Sequence, residues 1–297
     1  MPGDHNAPLP RRDGGETLEQ LYRRGRKALS DRPGAEGDTP MEAALLFRGV
    51  FGLGRQELLL RGGEAASPDL AGAFWELVRR RLAGEPLQYL LGEWEFYGLP
   101  FRVGPGVLIP RPETELLVDA ALEAVVGISA PALLDLCSGS GCVPVAIACR
   151  RPDARVTGVE LSPEAFRYFR ENASLNGAGN VTPLLGDVFA LPPEVRGPFA
   201  AITANPPYIR RGELASLQAE VQREPVLALD GGEDGLDFYR RLPGLCLPLL
   251  APGGVLLLEI GEDQGKAVAG LAAAAGFRQV EVRKDLSGLD RVVLGRR

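Results

Sequence analysis

Apolar and polar positions change period partway along the 297 residues, and the change divides the chain. Over the first third, apolar residues recur at three- and four-residue spacing in three runs, each opened by a helix-start signal. Thr17-x-x-Gln20 has the capping-box form and precedes Leu21, Tyr22 and Leu29. Thr39-Pro40-x-Glu42 places proline at the first helical position, before Ala44, Leu45, Phe47, Val50 and Phe51. Ser67-Pro68-Asp69 opens the third run, with Leu70, Phe74, Leu77, Val78 and Leu82, and Gly84 stops it. With a short helix near residues 56–60, these runs predict a small helical domain over residues 16–85.

The period then shortens to two. Trp94 and Phe96, then Phe101 and Val103, alternate around Gly98-Leu99-Pro100 and predict a β-hairpin within a linker of residues 86–110. A proline-bracketed loop, Leu108 to Glu115, feeds a helix that Gly127 stops; acids in its first turn favour the helix macrodipole. From residue 131 strands and helices alternate, with strands expected at 133–136, 156–160, 181–185, 200–204 and 255–260. Two late strands, 280–282 and 292–294, are separated by too few residues for a parallel crossover and are expected to pair antiparallel. A parallel sheet ending in an antiparallel pair is the architecture of Rossmann-like methyltransferases, so residues 111–297 are expected to form one α/β domain of seven strands.

Composition narrows the class. A 45% apolar and 24% charged chain is ordinary for a soluble globular protein, and no apolar run is long enough for a membrane span. The Pro-, Gly- and Asp-rich residues 1–15 predict a disordered tail, without the apolar core of a signal peptide. The only histidine, His5, lies in that tail, which sets histidine chemistry aside. Net charge is −6, and residues 1–85 carry 13 Lys+Arg against 13 Asp+Glu. Neither part has the positive excess of a duplex nucleic-acid binder. The cluster Arg79-Arg80-Arg81 with Arg23, Arg24, Arg26 and Lys27 could face an acidic partner, but solvated helix faces balanced by nearby acids are the first expectation. Four cysteines with no paired knuckles make neither a disulfide framework nor a zinc site, so buried thiols, no metal and a cytoplasmic location are expected.

Four strand ends carry candidate chemistry. Asp135-Leu136-Cys137-Ser138-Gly139-Ser140-Gly141 joins the first strand of the α/β domain to a helix whose N-terminus offers free N–H groups. A dinucleotide fingerprint needs a third glycine where Pro144 stands, which weakens NAD or FAD. The loop instead resembles the Asp/Glu-x-Gly-x-Gly-x-Gly motif of S-adenosylmethionine-dependent enzymes, with Cys137 in place of the first glycine. Glu160 ends the next strand at the spacing of a ribose-binding acid. Asp187 and Val188 close the third, where they suit an adenine amine and ring or, equally, an Asx-turn. Asn205-Pro206-Pro207-Tyr208 ends the fourth. Two prolines forbid continuation as strand or helix and leave a rigid turn presenting an amide, fixed carbonyls and an aromatic ring. Those parts suit a flat, neutral nitrogen nucleophile.

Together these residues resemble the HemK family of protein-(glutamine) methyltransferases, specifically the release-factor enzymes. The resemblance runs through Gly84-Glu85-Pro86-Leu87-Gln88-Tyr89, Gly92-Glu93-Trp94-Glu95-Phe96, Ile109-Pro110-Arg111-Pro112-Glu113-Thr114-Glu115, Arg223-Glu224-Pro225 and Gly235-Leu236-Asp237-Phe238-Tyr239 as well as the strand-end motifs. The chain departs at Cys137, at Glu160 where aspartate is usual, and at Gly288-Leu289-Asp290-Arg291. The resemblance implies methylation of the glutamine amide in the Gly-Gly-Gln loop of bacterial class 1 release factors. S-adenosyl-L-methionine is the implied donor and S-adenosyl-L-homocysteine the product.

Implied cofactor contacts are Asp135, Cys137, Ser138, Gly139, Ser140, Gly141, Glu160, Asp187, Val188 and Asn205. The substrate would meet Asn205, Pro206, Pro207 and Tyr208. Asn205, Pro206 and Tyr208 take the catalytic roles: two oxygens accept the substrate's N–H bonds and the ring packs on the amide. The helical domain would bind the release factor, and the protein would act as a monomer, without contacting nucleic acid or membrane. Amino-group methylation of DNA or RNA, methylation of a ribosomal-protein glutamine, and a non-catalytic binding module remain alternatives.

Overall fold

In the computed structural model residues 15–32 and 39–297 are described; His5 and all but the last residue of the expected tail lie outside them. The chain forms two compact units that meet in sequence between Leu91 and Gly92.

The first unit holds α1 (Leu18–Ser30), α2 (Thr39–Phe51), α3 (Arg55–Arg61), α4 (Pro68–Leu82) and α5 (Leu87–Leu91). The capping box at α1 forms as its residues require: Thr17 Oγ1 accepts from Gln20 N at 3.3 Å and Gln20 Oε1 accepts from Thr17 N at 3.1 Å. The apolar stripes meet in a core of Leu21, Leu29, Leu46, Phe47, Phe74 and Val78. Several of the clustered cations pair with acids: Arg23 with Glu19, Arg24 with Glu16, Lys27 with Asp31, Arg79 with Glu76 and Arg80 with Glu85. Arg81 differs from the expected solvated face. It is 2% exposed and pairs with Glu42 at 2.6 Å, an ion pair inside the helical unit.

The second unit begins with the hairpin β1 (Glu93–Phe96) and β2 (Leu99–Arg102). The stretch expected as a linker is thus divided: Leu87–Leu91 is helical in the first unit, while Phe96 and Phe101 are buried in the core of the second. After α6 (Glu115–Ala124) come β3 (Ala132–Leu136), α7 (Cys142–Arg150), β4 (Arg155–Glu160), α8 (Pro163–Leu175), β5 (Val181–Leu185) and β6 (Phe199–Ala204). The chain ends with α9 (Asp237–Cys246), β7 (Leu250–Glu259), α10 (Gly265–Ala274), β8 (Arg278–Lys284) and β9 (Asp290–Arg296).

Seven strands make one sheet in the order β5-β4-β3-β6-β7-β9-β8. The first five are parallel, and β9 runs antiparallel to both β7 and β8. Successive side chains of a strand alternate between faces, so an apolar strand covered on both faces feeds two cores. Leu133, Val255 and Leu257 pack with α6 and α7, whereas Leu134, Leu136, Leu256 and Leu258 pack with α9 and α10. The strands are therefore held rigidly from both sides, and their carboxyl ends form a firm rim.

Candidate active site

Strand order reverses between β3, which continues toward β4, and β6, which continues toward β7. Open α/β sheets bind ligands in the crevice at that point. Here it is a cleft of about 850 Å³ including its open mouth, lined by Cys137, Gly139, Glu160, Asp187, Val188 and Asn205 among others. A smaller hollow beside it is lined by Thr114, Asp135, Ser138, Ser140 and Asn205.

The loop after β3 is shaped by Asp135, whose buried carboxylate accepts from Thr203 Oγ1 at 2.6 Å and Ser138 Oγ at 2.7 Å. Asp135 and Thr203 are register partners on neighbouring strands, which places the hydroxyl there. Asp135 thus ties the loop to β6. Cys137 adopts φ 59°, the left-handed region that favours glycine and costs other residues about 1–2 kcal/mol. Burial pushes its thiol well above the usual value, so it stays neutral. Gly139 (φ 56°) has open space where a side chain would stand. Gly141 does not: a Cβ there would lie 2.1 Å from Phe169 Cδ2, and one on Gly158 would lie 2.5 Å from Phe169 Cζ. Gly141 thus works as a packing residue that lets the Phe169 ring seat beneath the loop.

Glu160 joins the loop to the next strand end. Its Oε2 accepts from Gly139 N and its Oε1 from Ser162 N, both at 2.7 Å. Each oxygen keeps a second lone pair for a ligand hydroxyl. Burial raises the carboxyl's pKa. At β5, Asp187 Oδ1 accepts from Phe189 N at 2.8 Å, so the Asx-turn forms, and Asp187 and Val188 both line the cleft.

The Asn-Pro-Pro-Tyr turn caps β6. Asn205 lines both the cleft and the hollow, Pro207 lines the cleft, and Pro206 is buried. Tyr208 is partly buried and packs against the core on the α9–α10 side. Burial pushes its phenol up to about 12. Tyr208 O accepts from Gln264 Nε2 at 3.0 Å, and Gly231 packs so closely that a Cβ there would stand 2.7 Å from Tyr208 Cα. The turn is clamped from behind.

Four polar residues that the strand-end motifs do not single out belong to this framework. Thr203 holds Asp135. Thr114, at the start of α6, accepts from Asn205 Nδ2 at 3.3 Å. Glu224 accepts from Ile109 N at 3.0 Å and pairs with Arg111, which secures a strap whose Pro225, Leu227 and Ala228 line the cleft. Glu259 ends β7, 1% exposed, and burial pushes its carboxyl up to about 7. An acid inside the apolar run of residues 255–260 is the sequence signal that could have found it.

Asp135 is likewise raised to about 7 by burial. A raised folded pKa means that these carboxyls contribute stability below their unfolded values, near pH 4, and that it is lost as pH rises through 7. The ligand-free protein is therefore expected to lose on the order of a few kcal/mol of stability between pH 5 and 8. Denaturant titration across that range checks this, and a rise in stability over the same window would contradict it. Thr203→Val leaves an Asp135 oxygen unpaired and is expected to cost about 1–3 kcal/mol, more at pH 8 than at pH 6. A pH-independent or negligible cost would remove Thr203 from the framework.

The sheet order, the glycine-bearing loop after β3 and the acid ending β4 define a Rossmann-like methyltransferase. Comparisons with known proteins agree. A methyltransferase domain family matches residues 133–228, and the PrmC N-terminal domain family matches residues 20–92. A solved methyltransferase from Pyrococcus furiosus shares the fold with a TM-score of 0.52 and 19% identity, covering 68% of this chain and 90% of that one. The release factor glutamine methyltransferase of Thermodesulfovibrio yellowstonii is 43% identical over 256 residues, 85% of this chain and 91% of its own. That of Moorella thermoacetica is 46% identical over 260 residues, 86% of this chain and 91% of its own. The chain belongs to the release factor glutamine methyltransferase family.

Proposed function

We propose that this protein methylates the side-chain amide nitrogen of the glutamine in the Gly-Gly-Gln motif of bacterial peptide chain release factors, using S-adenosyl-L-methionine. The observation that carries the reading is that Asn205 opens onto the same cleft as Cys137, Gly139, Glu160 and Asp187. A nitrogen-holding turn and a nucleoside-binding rim thus share one space.

The residues present fit the cofactor. Gly139 leaves room for a ligand against the backbone, Ser140 Oγ is buried without a hydrogen-bond partner, and Glu160 keeps lone pairs for ribose hydroxyls. Gly139, Glu160, Asp187 and Val188 would hold the nucleoside, and Ser140 and Asn205 the amino-acid end. When bound, the cofactor supplies a methyl group activated by its sulfonium.

The rest falls to the chain. An amide nitrogen is a poor nucleophile because its lone pair is delocalised into the carbonyl. Asn205 Oδ1 and the Pro206 carbonyl accept the two N–H bonds, orient the amide and raise electron density on its nitrogen. Holding reactants in near-attack geometry can supply up to about 7–11 kcal/mol. The proton leaves once methylation has made the nitrogen acidic. Tyr208, whose ring also lies against the core, serves by fixing the turn.

The test is to incubate the protein and S-adenosyl-L-methionine with a release factor, its Gly-Gly-Glu variant, a ribosomal protein and duplex DNA. Mass spectrometry should find one added methyl group on the Gly-Gly-Gln release factor alone. Methylation of DNA or the ribosomal protein, with none on the release factor, would overturn the substrate; failure to bind the cofactor would overturn the enzyme.

A further inference from the structure

Glu259 has no part in the chemistry above, yet it lies beside it. Its carboxyl is buried at the end of β7, with Thr114 and Asn205 facing it, and its Oε2 has no hydrogen-bond partner. Burying a carboxylate in this way costs several kcal/mol unless something compensates. Arg291, the cation facing it, directs its guanidinium instead to Asp285 at 3.0 and 3.2 Å and to Ile260 O at 3.4 Å. The group is therefore expensive to keep and is not the partner of a salt bridge.

Glu259 follows Leu258, the register partner of Ala204, so it stands beside Asn205 on the neighbouring strand, with Asn205 and Thr114 as the hydrogen-bonding side chains that face it. Asn205 Nδ2 donates to Thr114 Oγ1 at 3.3 Å, which leaves the Thr114 hydroxyl proton to be placed on an acceptor. An asparagine amide can turn over and exchange its oxygen and nitrogen. Only with Nδ2 turned inward does Oδ1 face the cleft as an acceptor. We propose that Glu259 is a positioning residue: as the terminal acceptor behind Asn205 and Thr114, its carboxylate holds the Asn205 amide with the carbonyl oxygen toward the substrate. This role rests on the function proposed above for Asn205.

A charged acceptor enforces that orientation, and a protonated one does not. Protonation turns one carboxylate oxygen into a donor that competes with Asn205 Nδ2 for Thr114 Oγ1. Burial raises the carboxyl to about 7, within the pH range of the test below. The other titratable and charged groups facing it are Glu113 before α6, Cys142 on α7, Tyr208 in the turn, Tyr239 on α9 and Arg291 on β9. The Tyr239 hydroxyl is already engaged, donating to Glu259 O at 2.6 Å. Burial holds Cys142 and Tyr208 near 12, so neither titrates in this range.

The test compares wild type, Glu259→Gln and Thr114→Val, using release-factor methylation from pH 6 to 8 and calorimetry for cofactor binding. Wild-type kcat should rise through a step near pH 7. Glu259→Gln, which mimics the protonated group, should lack the step and fall on the order of 10- to 100-fold at pH 8, with cofactor affinity within about 3-fold. In the cofactor-free protein, a glutamate carboxyl 13C resonance that titrates near pH 7 should vanish in Glu259→Gln. Thr114→Val should show the same loss, and the double variant should be no worse than either single one. Wild-type turnover with the step retained in Glu259→Gln overturns the role; so does normal turnover in Thr114→Val, the deciding variant should Glu259→Gln not fold. A wild-type protein inactive on the release factor overturns the functional reading itself, and the role of Glu259 with it.

Discussion

Asn205→Ala is expected to lower turnover on release factor on the order of 30- to 1000-fold, the loss of about 2–4 kcal/mol of transition-state stabilisation. In the proposed mechanism charge develops on the substrate amide as its nitrogen attacks, and Asn205 Oδ1 would be the side-chain acceptor that meets it. The alternative acceptors are backbone carbonyls, which alanine leaves in place, so activity should persist at a low level. Folding should lose little beyond the one hydrogen bond Asn205 makes to Thr114, because the turn itself is held by Pro206, Pro207, Gly231 and Gln264. Cofactor affinity should change only by the contacts Asn205 itself makes. Single-turnover kinetics with calorimetric cofactor titration separate these effects. Near-normal turnover in the variant would remove Asn205 from the chemistry, and a collapse of cofactor affinity with unchanged single-turnover rate would make it a cofactor residue only.

Gly141→Ala is expected to destabilise the protein by about 3–4 kcal/mol, combining left-handed strain with overpacking. Gly141 has φ 79°, and the added Cβ would meet the fully buried Phe169 ring at 2.1 Å from Cδ2. Phe169 cannot retreat, because its far edge already fills the space beside Gly158. The loop must therefore lift, and Ser138 and Gly139 would shift from their bonds to Asp135 and Glu160. Cofactor affinity should fall together with stability. Trimming the ring with Phe169→Leu in the same chain should recover part of both losses, as expected for residues that share one contact. A Gly141→Ala variant that melts and binds like wild type would refute the packing account. Gly139→Ala provides a contrast: its Cβ meets nothing within 4 Å, so it carries only the backbone strain of φ 56°.

The strand-end motifs were legible because each is local chemistry at a period change. Double proline after an apolar run stops a strand wherever it occurs, and an acid about twenty residues beyond a glycine loop falls at the next strand end by the length of one helix. Thr203 and Thr114 were not legible as partners of Asp135 and Asn205. Those pairs are separated by 68 and 91 residues and exist only through the register of β3 with β6 and the placement of α6. The same holds for Glu224, which reaches Ile109 N across 115 residues. Tyr208 shows the opposite limit. Its motif suggests a ring beside the substrate, and only the packing of β6 against α9 and α10 shows that the ring also lies against the core.

By itself the sequence determined a helical unit followed by a seven-stranded α/β unit, and the strand ends on which chemistry would fall. Periodicity, caps and prolines act over a few residues, so local order carries them. Only the tertiary structure decided which of those residues share a cleft, which glycine has open space beside it and which admits Phe169. It alone placed a buried carboxyl, Glu259, behind the asparagine. Those outcomes depend on strand order and packing across the sheet, which bring together groups that no spacing along the chain relates.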